Sequence, residues 1–150
     1  MLYPTLNKVE ELLKEYQMVP VFYEVLADYM TPIRMFQALR KEGTPCFMLE
    51  SVENKDQWGR YSFIGINPKS EIKISGKELE VDGVKQEEEF KMSYLSDLIE
   101  KYKSPVMEDY PKLTGGLIGY FGYDMIRQVE KKLTNVPEDD LKMPECHLCM

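Results

Sequence analysis

The chain of 150 residues is 43% hydrophobic and 30% charged, which suits a single soluble domain with a core of its own. Its net charge of −7 argues against nucleic acid and anionic membrane surfaces as partners, because both are recognised through a basic face. No apolar stretch approaches the roughly 20 residues that cross a bilayer, and Lys8, Glu10 and Glu11 stand where a signal peptide would be apolar, so we expect a cytoplasmic location.

The first third of the chain predicts two helices around one strand. Apolar residues at helical spacing after Thr5 predict an amphipathic helix over residues 7–17. Residues 21–26 are rich in Val, Phe and Tyr and favour a strand. Thr31 is a typical N-cap and Pro32 suits the first helical position, so a second helix is predicted over residues 33–42, ending at Gly43. Its inward residues are expected to be Ile33, Phe36, Ala38 and Leu39. Asp28 is interpreted as a turn residue before this helix.

Residues 46–68 predict two strands joined by a polar loop. An apolar run from residue 46 to residue 49 stops at Glu50 and Ser51, and an aromatic segment from residue 60 to residue 66 predicts the second strand. Side chains alternate along a strand, so Glu50 and Leu49 are predicted to lie on opposite faces. Two interpretations stay open. The strand reaches solvent at Glu50, or Glu50 and the Ser51 hydroxyl hold an ammonium group, since an unpaired buried charge is costly.

Alternating charged and apolar residues over positions 71–85 predict a half-exposed meander with tight turns at Gly76-Lys77 and Asp82-Gly83. The acidic run from residue 87 to residue 89 is interpreted as a solvated loop, because adjacent carboxylates converge on one ion only with special backbone geometry. A third helix is predicted over residues 93–103. One side of it carries Leu95, Leu98, Ile99 and Tyr102.

Residues 115–124 contain four glycines within eight positions, which favours a strand over a helix. They match neither a phosphate-binding loop nor a dinucleotide fingerprint, so no nucleotide site is predicted. A short helix over residues 125–133 and a polar loop over residues 135–143 follow. The chain ends in a predicted strand with Cys146 and Cys149 in CxxC spacing. A zinc site would need a second pair of ligands, so these cysteines are interpreted as free thiols.

These motifs together resemble the N-terminal domain of anthranilate synthase component I, a member of the chorismate-utilising enzymes. The matching motifs, in chain order, are Ala27-Asp28, Thr31-Pro32, Leu49-Glu50-Ser51-Val52-Glu53, Gly59-Arg60-Tyr61-Ser62-Phe63-Ile64-Gly65, Asn67-Pro68, Gly115-Gly116, Gly119-Tyr120 and Gly122-Tyr123-Asp124. One departure is Met48, where the family usually has Leu, and this exchange conserves volume.

The resemblance implies an α+β fold, a mostly antiparallel β-sheet that forms half of a β-sandwich with peripheral helices, in which residues 115–124 are a central strand. It also implies that Ser51 and Glu50 contact L-tryptophan, the feedback inhibitor, with Leu49 beside them and Arg60 as a neighbour. Residues 1–150 would then be an N-terminal regulatory domain. The natural chain would continue into a C-terminal chorismate-binding catalytic domain.

In that family the intact subunit converts chorismate and ammonia to anthranilate and pyruvate, with Mg²⁺ in the C-terminal domain and ammonia from a glutamine amidotransferase subunit. This chain itself is predicted to hold no catalytic residue, cofactor or metal, since it has one His and no defensible catalytic triad or carboxylate pair. Two alternatives stay open. One is the N-terminal domain of aminodeoxychorismate synthase component I, and the other is a non-enzymatic amino-acid-sensing module with Glu50-Ser51 as a surface turn.

Overall fold

The structure is a computed structural model that describes residues 2–50, 61–108, 110–111, 113–130, 132–133, 135 and 139–150. It divides into two compact units, and each is described by itself. Unit 1 comprises Met1–Glu24 and Ser70–Met150, and unit 2 comprises Val25–Lys69.

The elements are short helices and antiparallel strands. In chain order they are β1 (Leu2–Tyr3), α1 (Leu6–Leu12), β2 (Phe22–Tyr23), α2 (Pro32–Leu39), β3 (Cys46–Glu50), β4 (Ser62–Ile66), β5 (Glu71–Ser75), β6 (Glu78–Val81), β7 (Val84–Lys85), α3 (Ser93–Lys101), β8 (Ile118–Phe121), a 3₁₀ helix (Tyr123–Gln128) and β9 (Cys146–Cys149). Each described strand pairing is antiparallel. The predicted α+β class with a mostly antiparallel sheet is therefore confirmed.

Unit 1 is built on a five-stranded sheet in the order β7-β6-β5-β9-β8. The strands β5, β6 and β7 follow one another through tight turns, as the sequence predicts. Gly76, Asp82 and Gly83 have left-handed φ values of 56°, 53° and 78°, which Gly and Asp adopt at lower cost than most residues. The last strand, β9, lies between β5 and β8, so the C-terminal end of the chain occupies the interior of the sheet.

One face of this sheet carries the core of unit 1. Ile72 and Ile74 on β5 and Cys146 and Leu148 on β9 are at most 1% exposed, as expected for alternate residues on one face of a strand. The other buried members of this hydrophobic core cluster are Leu79, Phe90, Leu95 and Met125. Each large side chain buried in this way contributes roughly 1.5–3 kcal/mol, so these contacts supply much of the stability of unit 1.

The N-terminal part of unit 1 is held by an aromatic cluster. The ring of Tyr110 meets Phe22 edge-on at a centroid distance of 4.6 Å and Tyr3 at 6.2 Å. The Tyr110 hydroxyl donates a hydrogen bond to the Pro20 carbonyl over 3.2 Å, and burial raises its pKa. The cluster joins residues of the β1–β2 pair to a segment about ninety positions later.

Unit 2 consists of α2 and the β3–β4 hairpin. The N-cap prediction is confirmed, since Thr31 Oγ1 accepts a hydrogen bond from the Arg34 N–H at 3.3 Å. The two strands predicted within residues 46–68 are confirmed as β3 and β4, and Phe47 lies directly opposite Gly65. The polar loop predicted between them lies outside the described residues. The Phe47 ring covers this glycine so closely that a Cβ at position 65 would lie 1.9 Å from Phe47 Cε1. None of the described residues of unit 2 is fully buried.

The helices are shorter than predicted. The N–H groups of Lys14 and Glu15 bond to carbonyls three residues back, so the first helix tightens into a turn after Leu12. The second helix ends at Leu39, before Gly43. Four expected inward positions are wrong, because Ile33, Ala38 and Leu39 of α2 and Ile99 of α3 are exposed, by 51% for Ile33 and 60% for Ile99.

Two strand predictions also need correction. The strand expected over residues 21–26 is limited to Phe22–Tyr23, because its partner β1 stops before Pro4, which has no N–H to donate. The Gly-rich strand β8 was expected to be central by resemblance, but it is an edge strand among the described residues, and β9 takes the interior place. The helix expected over residues 125–133 is the 3₁₀ helix, which begins two residues earlier.

Candidate functional site

The predicted site lies where β3 ends. Glu50 is the last residue of this strand and stands directly opposite Ser62, and Leu49 stands opposite Phe63. The Glu50 side chain is exposed and Leu49 is 48% exposed. Ser51 and Arg60, the other two predicted ligand-binding residues, lie outside the described residues. The structure therefore places half of the predicted set at one end of the hairpin.

The two faces of the hairpin differ in chemistry. Glu50 shares its face with Ser62 and with the aliphatic side chains of Met48 and Ile64, since the register pairs Met48 with Ile64. Ser62 is a further candidate residue of this site, and the sequence alone did not indicate it. A carboxylate and a hydroxyl on directly opposite positions lie close enough to take one ammonium group between them.

The opposite face is aromatic. Leu49 and Phe47 share it with Phe63, and the ring of Tyr61 stacks on Phe63 at a centroid distance of 6.2 Å and an interplanar angle of 29°. These rings provide a flat apolar surface beside the end of β3. Alternation correctly predicts that Leu49 and Glu50 point to different faces, so a ligand that touches both must lie at the end of the strand.

Within residues 2–50 and 61–150 as far as they are described, no ion pair involves Glu50. Because the side chain is exposed, an ammonium bound to it in unit 2 alone gains only about 0–1 kcal/mol. A stronger grip of roughly 1.5–3 kcal/mol per charge-assisted bond requires that something cover the site.

A group of interacting charged side chains lies on the outer face of the five-stranded sheet. Glu71 Oε1 is 3.0 Å from Lys73 Nζ and 2.7 Å from His147 Nε2, and Lys73 also reaches Glu80 Oε1 at 3.6 Å. Lys73, mainly through its hydrogen bond, lowers the pKa of Glu71, and Glu71 in turn raises the pKa of Lys73. The His147 Nε2 atom is shielded from solvent, and its close approach to Glu71 is not aligned as a hydrogen bond.

Cys146 and Cys149 lie on opposite faces of β9. Cys146 points into the core, where burial raises its pKa to about 11, and Cys149 is half-buried with its pKa also raised by burial. Residues three apart on a strand cannot bring their sulfurs together. Glu87, Glu88 and Glu89 are exposed, as the sequence predicts. Among the described residues no group of three or more His, Cys, Asp or Glu side chains could hold a metal ion.

In the part of the chain that the structure describes, no helix combines the length and the apolar character needed to cross a membrane.

No protein-family model matches the chain. It is 42% identical to anthranilate synthase component 1 of Acetivibrio thermocellus over 98% of this chain and 30% of that protein. It is 33% identical to the Pseudomonas aeruginosa protein of the same name over 83% of this chain and 26% of that one. It is 34% identical to the chloroplastic anthranilate synthase alpha subunit 2 of Arabidopsis thaliana over 97% of this chain and 27% of that protein.

The chain therefore spans less than a third of the length of the relatives it matches. Among solved structures, it is similar to anthranilate synthase component I from Streptococcus pneumoniae TIGR4, with a TM-score of 0.43 and 22% sequence identity over 85% of this chain and 27% of that one.

Proposed function

We propose, because this chain belongs to the anthranilate synthase component 1 family, that it is the L-tryptophan-binding, feedback-regulatory part of such a subunit. The observation that carries the proposal is 42% identity over 98% of the chain to a protein of that name, of which the match covers 30%. Because the match covers only 30% of that relative, the rest of the relative leaves room for a separate catalytic region. We place the protein in the cytoplasm.

The parent subunit would convert chorismate and ammonia to anthranilate and pyruvate. Its chorismate-binding domain, with Mg²⁺, would be C-terminal to the region homologous to this chain, and a glutamine amidotransferase subunit would supply the ammonia. The names of the three relatives described above favour this tryptophan branch over aminodeoxychorismate synthesis.

In the proposed binding mode, the end of β3 holds the polar head of L-tryptophan. Glu50 takes the ammonium group, Ser51 adds a hydrogen bond, and Leu49 contacts the indole with Arg60 nearby. Two observations support this mode: Glu50 has no ion pair among the described residues, and Leu49 is 48% exposed and so retains apolar surface for a ligand. The Phe63 and Tyr61 rings extend that surface.

The energetics require a cover over the ligand. Removing 150–250 Å² of indole surface from water contributes at most roughly 4–6 kcal/mol, and an exposed hairpin end provides only part of this. The chorismate-binding domain is the proposed cover. Inhibition then needs only a preference of tryptophan for one domain arrangement, and a coupling of about 1–3 kcal/mol is enough.

A chimaera tests the proposal. In the Acetivibrio thermocellus enzyme, the homologous segment is replaced by residues 1–150 of this chain, and anthranilate formation is measured against L-tryptophan concentration. Glu50→Gln and Ser51→Ala are each expected to raise the half-inhibitory concentration about tenfold or more, the equivalent of one lost charge-assisted bond. Activity without tryptophan should change little.

The matched control is Glu42→Gln, which removes an exposed carboxylate elsewhere in unit 2. It should leave inhibition as it is. If the three variants are inhibited equally, the end of β3 does not bind the inhibitor. An unsubstituted chimaera that forms anthranilate but is not inhibited by L-tryptophan would contradict the proposal.

A further inference from the structure

The single histidine of the chain, His147, lies on the interior strand β9 of the five-stranded sheet. It stands directly opposite Lys73 of β5 on one side and Tyr120 of β8 on the other. Lys73 in turn stands opposite Glu80 of β6. Side chains at directly opposite positions share one face of a sheet, so these four residues form a polar row across the outer face of four strands.

The Nε2 atom of His147 is held against a carboxylate. It lies 2.7 Å from Glu71 Oε1, which is the length of a charge-assisted hydrogen bond. The atom is shielded from solvent, and among the described residues it has no aligned hydrogen-bond partner. A nitrogen and an oxygen that both lack a proton repel at this distance, whereas a proton on Nε2 makes the contact favourable. A turn of the imidazole ring would then align the bond.

The charged groups beside the imidazole favour that proton. Glu71 and Glu80 contribute two carboxylates, and Lys73 contributes one ammonium group, 3.0 Å from Glu71 Oε1 and 3.6 Å from Glu80 Oε1. A protonated His147 balances these charges and extends the alternation of negative and positive groups. Repulsion from Lys73 is the smaller effect, because its ammonium is already close to two carboxylates.

The other titratable groups near His147 do not compete with it. The Tyr120 ring meets the imidazole edge-on at a centroid distance of 6.1 Å, and its hydroxyl donates a hydrogen bond to the Pro144 carbonyl over 3.0 Å. Burial raises the pKa of the Cys149 thiol, which therefore stays neutral where imidazoles titrate. Glu145, two positions before His147 in the chain, adds a further negative charge.

We propose that His147 is a proton-operated latch between β9 and β5: protonated, it donates a hydrogen bond from Nε2 to Glu71 Oε1 and completes a network with Lys73 and Glu80. One proton passes from solvent to Nε2 as the pH falls through the range in which imidazoles gain it, roughly pH 8 to 5. The latch opens when the pH rises and the proton leaves. Unit 1 thus contains a side-chain contact that responds to mild acid.

NMR spectra of the 150-residue chain recorded from pH 8 to pH 5 test the proposal. The side-chain carboxyl ¹³C shift of Glu71 is expected to change in one step, and with a single histidine in the chain this step reports His147. His147→Gln, which keeps a polar side chain without a titrating charge, should abolish the step. The matched control within the same spectra is Glu89, which pairs with Lys77 at the same distance of 3.0 Å and should show no step.

The imidazole proton gives an independent measurement. At pH 5 the Nε2–H of His147 should exchange slowly with water, and Glu71→Gln should speed this exchange about fivefold, as expected for loss of one partly exposed charge pair. Glu78→Gln, which removes a carboxylate paired with Lys85 near the β7 edge, should leave the exchange rate unchanged. Circular dichroism verifies that each variant is folded.

Three results would overturn the proposal. The first is a Glu71 shift that shows no step in the parent chain, and the second is a step that persists in folded His147→Gln. The third is an Nε2–H exchange rate that Glu71→Gln leaves unchanged, or that Glu78→Gln raises equally. This last measurement needs no substitution of His147, so it decides the question even if His147→Gln does not fold.

Discussion

Apolar and polar residues alternate along the strands of both units. Among the described residues, those of unit 1 form a buried core and those of unit 2 do not. Eight hydrophobic residues are buried in the described part of the chain, and all of them belong to unit 1. Its five-stranded sheet is covered on one face by Phe90, by Leu95 of α3 and by Met125 of the 3₁₀ helix. Unit 2 has a two-stranded hairpin, which is marginally stable at best without further cover.

The difference suggests a division of labour. Regions with few buried contacts open locally at low free energy, and ligand-binding elements are often drawn from them. The proposed tryptophan site lies in unit 2, which would gain most from a ligand or a domain that covers its apolar side chains. Unit 1 supplies the stable scaffold. The two units should therefore respond differently to comparable substitutions.

The largest contrast is expected from truncating an isoleucine in each unit. Ile74→Ala removes a side chain that is 0% exposed and should lower the free energy of unfolding by about 2–5 kcal/mol, because it leaves a cavity in a tightly packed core. Ile66→Ala acts on a side chain that is 36% exposed and should cost about 1 kcal/mol or less. Urea titration followed by circular dichroism measures both. Equal losses in the free energy of unfolding would show that the core of unit 2 is packed as tightly as that of unit 1.

A smaller contrast is expected between two glycines. A Cβ at Gly119 would lie 1.9 Å from the backbone carbonyl oxygen of His147, which cannot move without disturbing β9. Gly119→Ala should therefore destabilise the chain by about 1–3 kcal/mol. A Cβ at Gly65 would meet the Phe47 ring at the same distance, but a half-buried ring can turn aside, so Gly65→Ala should cost about 1 kcal/mol or less.

A double-mutant cycle checks this explanation. Phe47→Ala removes the obstruction, so Gly65→Ala should cost nothing further in that background. No comparable single truncation can relieve Gly119→Ala, because the obstruction is main chain. If Phe47→Ala fails to relieve Gly65→Ala, the ring is not the source of the cost.

Local signals in the sequence predict much of unit 1. The meander β5-β6-β7 follows from alternation and from Gly and Asp at the two turns, which are properties of neighbouring residues. The place of β9 could not be predicted in this way. Its position between β5 and β8 depends on residues far apart in the sequence, and this pairing buries Cys146 beside Ile74.

The candidate site can be predicted only in part, because some of its residues are brought together from distant positions in the sequence. The end of β3 and the faces of Leu49 and Glu50 follow from a short apolar run and strand alternation. The position of Ser62 opposite Glu50 does not, because residues 51–61 separate the strands and register follows from the turn type only in short hairpins. Helical spacing indicated Ile33 and Ile99 as buried, but spacing cannot say how wide a strip of each helix a neighbour covers.

The smallest effect is expected from the charges on the outer face of the five-stranded sheet of unit 1. The hydrogen bond from Lys73 lowers the pKa of Glu71 from its ordinary value of 4.5. Because the pKa of Glu71 is lower in the folded state than in the unfolded state, the ionised carboxylate stabilises the folded state at pH values above 4.5. This contribution to the free energy of unfolding is lost as the pH falls through the lowered pKa. Since both side chains are partly exposed, the loss should be about 1 kcal/mol or less.

Urea titrations at several pH values below 5 measure this loss, and Glu71→Gln should flatten the dependence of the free energy of unfolding on pH. Lys73→Met should flatten it too, because it removes the main cause of the shift, and an acid slope unchanged in both variants would place the origin of any pH dependence elsewhere.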